Sequence, residues 1–225
     1  MTKSPKTLVT LLLDRSGSMQ TLKDDTLGAL NAYIDRLRQE ESDIRFSLVQ
    51  FDAPDFAAPM ALEKVHVARP VAEIPDLGPD DFIPRGGTPL IDAACATIRA
   101  VAESLEGREK TRVVVAIQTD GQENRSVENS WNDLKALIAE KEKAGWEFVF
   151  MGCEIDAYKQ GAMMGVSPDK TLSYGKDPEA TRAAFAATAA NTAHYAAGTL
   201  GSMDYTAAQK MEAGDPDARR RARGA

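Results

Sequence analysis

Asp14, Ser16 and Ser18 stand at alternate positions in Asp14-Arg15-Ser16-Gly17-Ser18, directly after the apolar run Thr7–Leu13. Two later stretches carry side chains of the same kind. They are Gly86-Gly87-Thr88-Pro89, and Thr119-Asp120-Gly121 after the apolar run Val113–Ile117. A buried strand that ends in Asp and runs into Gly and Ser delivers polar groups to the carboxyl edge of a parallel sheet, where open α/β folds place their ligand sites. Asp14, Ser16, Ser18, Thr88 and Asp120 together offer only carboxylate and hydroxyl oxygens, the donors suited to a hard divalent cation. Mg²⁺ takes octahedral oxygen coordination at ~2.0–2.1 Å and tends to retain water. Serine and threonine hydroxyls coordinate without cancelling its charge, and the Asp14 and Asp120 carboxylates balance it. Mg²⁺ or Mn²⁺ is the expected ion, with an open position that a carboxylate from a partner could fill.

Each residue also has a plainer use. Asp14, Ser16 and Ser18 could be helix caps, Thr88 could cap a helix starting at Pro89, and Asp120-Gly121 could be a turn. Their joint order, each at a strand end or in a loop, favours one shared site. Glu123 and Asn124 follow closely and are open between orienting waters at the site and facing solvent. His66 and His194 have no ligand spacing and read as structural or surface residues. Trp131, Trp146 and Met163-Met164 read as core.

The elements that must position these residues are legible from periodicity. Leu8–Leu13 is continuously apolar, as expected of a central strand covered on both faces. Leu27, Leu30, Ile34 and Leu37 recur at helical spacing. Arg45–Phe51 and Ala61–Val67 read as strands whose short, Pro-containing link predicts an antiparallel hairpin at one sheet edge. The proline-rich stretch Arg69–Arg85 predicts loop with one helical turn. Leu90–Leu105 reads as a second helix with Pro89 in its first turn, and Arg112–Gln118 as the next buried strand. A third helix around Trp131, Leu134 and Ile138 ends near Gly145, before a strand at Glu147–Met151. A short helix at Ile155–Met163 and a weak strand at Thr171–Tyr174 follow. Asp177-Pro178 opens an Ala- and Thr-rich helix through Ala196, open between close packing on another surface and solvent exposure. Thr206 and Gln209 have capping-box spacing.

Composition narrows the function classes. A length of 225 residues suits one domain with an appendage. The net charge of −7 argues against a nucleic-acid binder, which would present a basic face. Cys95 and Cys153 sit in apolar contexts and read as buried small hydrophobes, fitting a reducing compartment. No signal peptide or membrane segment is expected, so the expected location is cytoplasmic.

The order of strand–Asp14-x-Ser16-x-Ser18, Thr88 after Gly-Gly, and strand–Thr119-Asp120-Gly121 resembles the von Willebrand factor A family. All five positions of that family's metal-ion-dependent adhesion site match, and the wider stretches Gly86–Leu90 and Asp120–Asn124 look like its bacterial and phage intracellular members. The resemblance spans roughly Thr7 to Tyr174. It implies a doubly wound, Rossmann-like α/β fold with a mostly parallel sheet, one antiparallel edge strand and helices on both faces. Residues 1–175 would form the family domain, 176–213 a helical extension on or beside it, and 214–225 a disordered basic tail. It also implies that Ser16, Ser18 and Thr88 contact the ion directly, Asp14 and Asp120 largely through water, and that a partner Glu or Asp completes the shell. The implied function is a metal-dependent protein-interaction module, not an enzyme, working with an AAA+ ATPase or a stress-response complex. One alternative is a Mg²⁺-dependent hydrolase or phosphotransfer enzyme. Ser16 stands against it, occupying the place where such sites carry a second acidic group, and no phosphate-binding loop motif is present. Another is a structural subunit whose metal only fixes loops.

Overall fold

The computed structural model describes residues 6–55, 60–107 and 111–216. Its elements run β1 (Thr7–Asp14), α1 (Lys23–Arg38), β2 (Ile44–Asp52), β3 (Ala61–Pro70), α2 (Leu90–Leu105) and β4 (Arg112–Thr119). They continue with α3 (Trp131–Lys143), β5 (Trp146–Cys153), α4 (Ala157–Met164), β6 (Thr171–Tyr174), α5 (Pro178–Ala197) and α6 (Ala207–Glu212). The six strands form one sheet in the order β3-β2-β1-β4-β5-β6, parallel throughout except for the antiparallel β2–β3 pair at one edge. The expected fold class is the observed one.

β1 explains the architecture. Its register pairs Thr7 with both Ile44 and Arg112, so strands flank it on both sides, and every one of its residues is buried. Val9, Leu11 and Leu13 join one apolar cluster with Leu30, Ile34 and Phe185, while Leu8 and Leu12 join another with Leu90, Ile98 and Ile138. The alternation follows from the two-residue period of a strand. It puts α1 and α5 on one face of the sheet and α2, α3 and α4 on the other.

α5 settles the question its composition left open. Ala184, Ala193 and Ala196 are buried against the α1 face, where small side chains let the two helices come close. Tyr33 and Thr192 exchange a hydrogen bond of 3.1 Å between these helices, and Tyr205 bonds Thr188 at 2.8 Å. Helix ends follow the sequence: Asp177 caps α5 through the Ala180 N–H, and Thr206 with Gln209 forms a capping box on α6.

Several local expectations change. Pro89 is the residue before α2 rather than part of its first turn, and two separate 3₁₀ turns, Val71–Glu73 and Pro79–Asp81, lie in the proline-rich stretch. β3 runs on to Pro70 through a register shift. Met164 is buried as expected, but Met163 is exposed. Asp215, read as the head of a disordered tail, is instead buried. It accepts from the N–H of Ser173 on the edge strand β6 at 2.8 Å and from the Tyr158 hydroxyl at 2.9 Å. The rest of that expected tail, residues 217–225, lies outside the described residues. Asp215→Ala removes the acceptor of one buried and one part-buried donor, for which the expected cost is about 1–3 kcal/mol in urea unfolding.

Candidate metal centre

The strand order reverses between β1 and β4, and their carboxyl ends deliver Asp14 and Thr119-Asp120 side by side. Leu13 still pairs with Gln118, so the two chains separate only beyond that point. Backbone bonds then lock the loops together. The Gly17 N–H donates to the Gly86 carbonyl at 3.0 Å, the Arg85 N–H to the Arg15 carbonyl at 2.7 Å, and Ala53 and Gly87 form an antiparallel bridge.

The sequence-predicted residues converge. Asp14 Oδ1 accepts from the Ser16 N–H at 2.7 Å. Ser16 Oγ lies 3.1 Å from Ser18 Oγ, and Ser18 Oγ donates to Asp120 Oδ1 at 2.6 Å. Thr88 joins them across Gly121: a Cβ built on that glycine would sit 2.9 Å from Thr88 Oγ1 and 3.7 Å from Asp14 Oδ2. Asp14, Ser16, Thr88 and Asp120 are buried, and Ser18 is exposed at the rim. Asp120 Oδ2 is buried without a hydrogen-bond partner. Burial pushes the Asp14 carboxyl up to about 7 against the bonds from Thr119 and Ser16, and burial also raises that of Asp120. Two desolvated carboxylates near neutral hydroxyls form a cradle short of positive charge. Among the described residues no group of three or more His, Cys, Asp or Glu side chains is placed to hold a metal ion.

Periodicity gave no role to the residues that brace the cradle. Thr119, the last residue of β4, donates its hydroxyl to Asp14 Oδ2 and accepts from the Gly121 N–H at 3.0 Å. Asn124 Oδ1 accepts from the Thr88 N–H at 3.0 Å, and the Thr88 carbonyl accepts from the Asn124 N–H at 3.1 Å. Glu123 neither meets the cradle nor faces solvent idly. Its carboxylate accepts from the N–H groups of Ile91, Arg125 and Ser126, binding this loop to the start of α2. Asp92 accepts from the N–H groups of Val127, Glu128 and Asn129. Burial pushes the Asp92 carboxyl up, but its hydrogen bonds outweigh burial and hold it below the usual range. Asp52, fully buried at the end of β2, bonds Arg15 at 3.1 Å and Arg85 at 2.6 Å, fastening the first loop to the second. A carboxylate two to four residues past a strand-end Asp-Gly was the available signal for Glu123.

The other candidates lie elsewhere. Asp24 and Asp25 are in the first turn of α1, where carboxylates complement the helix N-terminus. That helix follows a 3₁₀ turn at Gly17–Leu22. His66 lies on β3 and His194 on α5, neither bonded to a cradle residue. Trp146 is buried against Phe148, and both cysteines are buried and free. No helix among the described residues is long and apolar enough to cross a membrane.

A doubly wound, mostly parallel sheet with loop oxygens gathered at its switch point defines the class as an open α/β domain. The family model described as the von Willebrand factor type A domain matches residues 9–193, and the chain belongs to that family. Among solved structures, the pilus adhesin SpaC from Lactobacillus rhamnosus GG in its open conformation is similar over 85% of this chain and 30% of its own, at 12% identity and a TM-score of 0.67. Manganese-loaded Plasmodium vivax TRAP protein is similar over 77% of this chain and 70% of its own, at 15% identity and a TM-score of 0.55. A von Willebrand factor type A protein from Catenulispora acidiphila is similar over 84% and 43%, at 15% identity and a TM-score of 0.56. The chain spans under half the length of SpaC and of the Catenulispora protein. Among curated proteins, none matches the sequence.

Proposed function

We propose that this chain is a metal-dependent protein-interaction module. Asp14, Ser16, Ser18, Thr88 and Asp120 hold Mg²⁺ or Mn²⁺, and a Glu or Asp of a partner protein completes the coordination. The observation that carries the reading is the bare, buried Asp120 Oδ2 beside hydroxyls and a second desolvated carboxylate. A divalent cation supplies the charge those groups lack and acts as a Lewis acid toward an incoming carboxylate. The manganese of the TRAP neighbour supports the choice of ion. Ser18, exposed at the rim, marks the side from which the partner approaches.

A binding rather than catalytic role is supported by what surrounds the hydroxyls. Ser16 and Ser18 bond one another, Ser18 bonds Asp120, and among the described residues neither histidine bonds them. A cytoplasmic location fits the two free buried cysteines. The family resemblance makes an AAA+ ATPase or a stress-response complex the partner class. Recovering bound proteins from cells with and without EDTA tests the reading. A partner captured by the native chain, and lost both with EDTA and with Asp14→Asn, supports it; equal capture under chelation contradicts it.

The raised Asp14 carboxyl gives metal binding a pH dependence. The ion must displace a proton that Asp14 holds below about pH 7, so Mg²⁺ affinity falls about tenfold per pH unit below that point. The sign for the metal-free protein is the reverse. A carboxyl raised on folding contributes stability present below its unfolded value near 3.8 and lost as pH rises through about 7. The rise in melting temperature caused by Mg²⁺ should therefore be larger at pH 8 than at pH 6. Equal increments at both would contradict Asp14 as the linked group.

A further inference from the structure

Among the described residues, the face of the sheet that carries α2 has an open groove beside the β2–β3 hairpin. β2 and β3 are antiparallel neighbours and need no crossover helix between them, and among the described residues α2 packs on β1 and β2 alike. The C-terminal half of α2 and the hairpin enclose a groove of about 1300 Å³. It reaches Lys6 and Asp43 at the starts of β1 and β2 and Leu105 at the end of α2, all at the amino edge of the sheet. The adhesion-type cradle lies at the opposite edge.

The groove combines apolar walls with polar groups that have nothing to bond. Leu8, Val49, Leu62, Val101 and Leu105 supply the walls. Thr10 and Thr97 also line it, both buried, and neither hydroxyl has a hydrogen-bond partner. Thr10 pairs with Ser47 across β1 and β2, and Ser47 Oγ accepts from the Ala68 N–H at 2.9 Å, which leaves its proton to donate. Arg45, two residues before Ser47, pairs with Asp43 at 3.6 Å and donates from one terminal nitrogen to the Ala68 carbonyl at 3.5 Å, while its buried Nε has no hydrogen bond. The lining holds the cations Lys6, Arg45 and Lys64 against the carboxylates Asp43 and Glu103, a net positive charge.

Buried hydroxyls left without partners are costly, and hydroxyl donors beside guanidinium and ammonium groups match an oxyanion. Apolar walls match a hydrocarbon body. We propose that the groove binds a small amphipathic organic acid, an alkyl or aryl body bearing one carboxylate. The hydroxyls of Thr10, Ser47 and Thr97 receive the carboxylate, and Arg45 and Lys64 supply the opposing charge. The site is independent of the metal cradle.

The test is a titration of the full chain with octanoate in EDTA, read by amide shifts in NMR, with octan-1-ol as the neutral comparison. Saturable shifts at Thr10, Ser47 and Thr97, with a Kd of about 1 mM or tighter, are expected, with octan-1-ol weaker. Ala100 is exposed on α2 and lines the groove, so Ala100→Trp fills it without touching the core. That variant should melt as the native chain does and bind octanoate at least about tenfold more weakly. Thr97→Val should weaken octanoate about tenfold while leaving octan-1-ol unchanged. The proposal is overturned by shifts that do not saturate or that centre elsewhere. It is equally overturned by octan-1-ol binding as well as octanoate, or by octanoate binding that Ala100→Trp leaves intact.

Discussion

Asp14→Asn is expected to erase the stabilisation of this protein by Mg²⁺ while leaving the metal-free fold in place. Asparagine keeps an oxygen for the Ser16 N–H, and its amide can donate to the Thr119 hydroxyl, which already accepts from Gly121. The contacts that hold the loop therefore survive. What disappears is a desolvated carboxylate, which is costly to the metal-free protein and needed for the ion. At a hundredfold excess of Mg²⁺ over Kd, the native chain gains about 2.7 kcal/mol. For a chain of this size that is about 5–10 °C in melting temperature. The variant should show no such gain and, at pH 8, should melt no lower than the native chain without metal. A variant that responds to Mg²⁺ like the native protein would exclude Asp14 from the site.

Gly86→Ala is expected to be among the most damaging single substitutions in the molecule. Gly86 has φ of +66°, and an added Cβ would sit 2.0 Å from the Ala53 carbonyl oxygen and 2.6 Å from its carbon. Both obstacles are backbone, so no side chain can move aside. The Ala53–Gly87 bridge or the Gly17-to-Gly86 bond must break, and with it the alignment of Thr88 to the first loop. A loss of about 3 kcal/mol or more in urea unfolding is expected, with weakened metal response. Gly145→Ala is the control: φ is +88° there, but the added Cβ meets nothing within 4 Å. Its cost should stay near about 1 kcal/mol. Similar losses at the two positions would mean that the loop contact, as distinct from backbone conformation, carries little.

The central strands were legible because burial on both faces removes alternation. Leu8–Leu13 reads as one apolar run, and the structure buries every residue of it. The edge hairpin was legible from the short link between β2 and β3, but the extension of β3 to Pro70 was not. It depends on a register shift and on Ala68 at φ of +46°, which no local pattern announces. α5 was ambiguous because alanine carries almost no amphipathic signal; Phe185 on α5 itself and Tyr33 on the partner surface of α1 decide its burial. Within the cradle, side chains at strand ends were visible because Asp, Ser and Gly after apolar runs are unusual. Their supports were not. Asp92 collects backbone N–H groups from a loop distant in sequence, and Glu123 in that loop collects one from the start of α2; such pairing is a property of the folded chain. The groove beside the β2–β3 hairpin was likewise invisible, since it follows from topology and not from any one segment.

The whole functional account turns on one doubly charged ion held where β1 and β4 part. Its most direct test is an anomalous difference map, at the manganese edge, from crystals of the full chain grown with Mn²⁺. The account predicts a single strong peak bounded by Ser16 Oγ, Ser18 Oγ and Thr88 Oγ1, with Asp14 and Asp120 beside it. A map with no peak there, or with manganese bound only elsewhere on the surface, would contradict it.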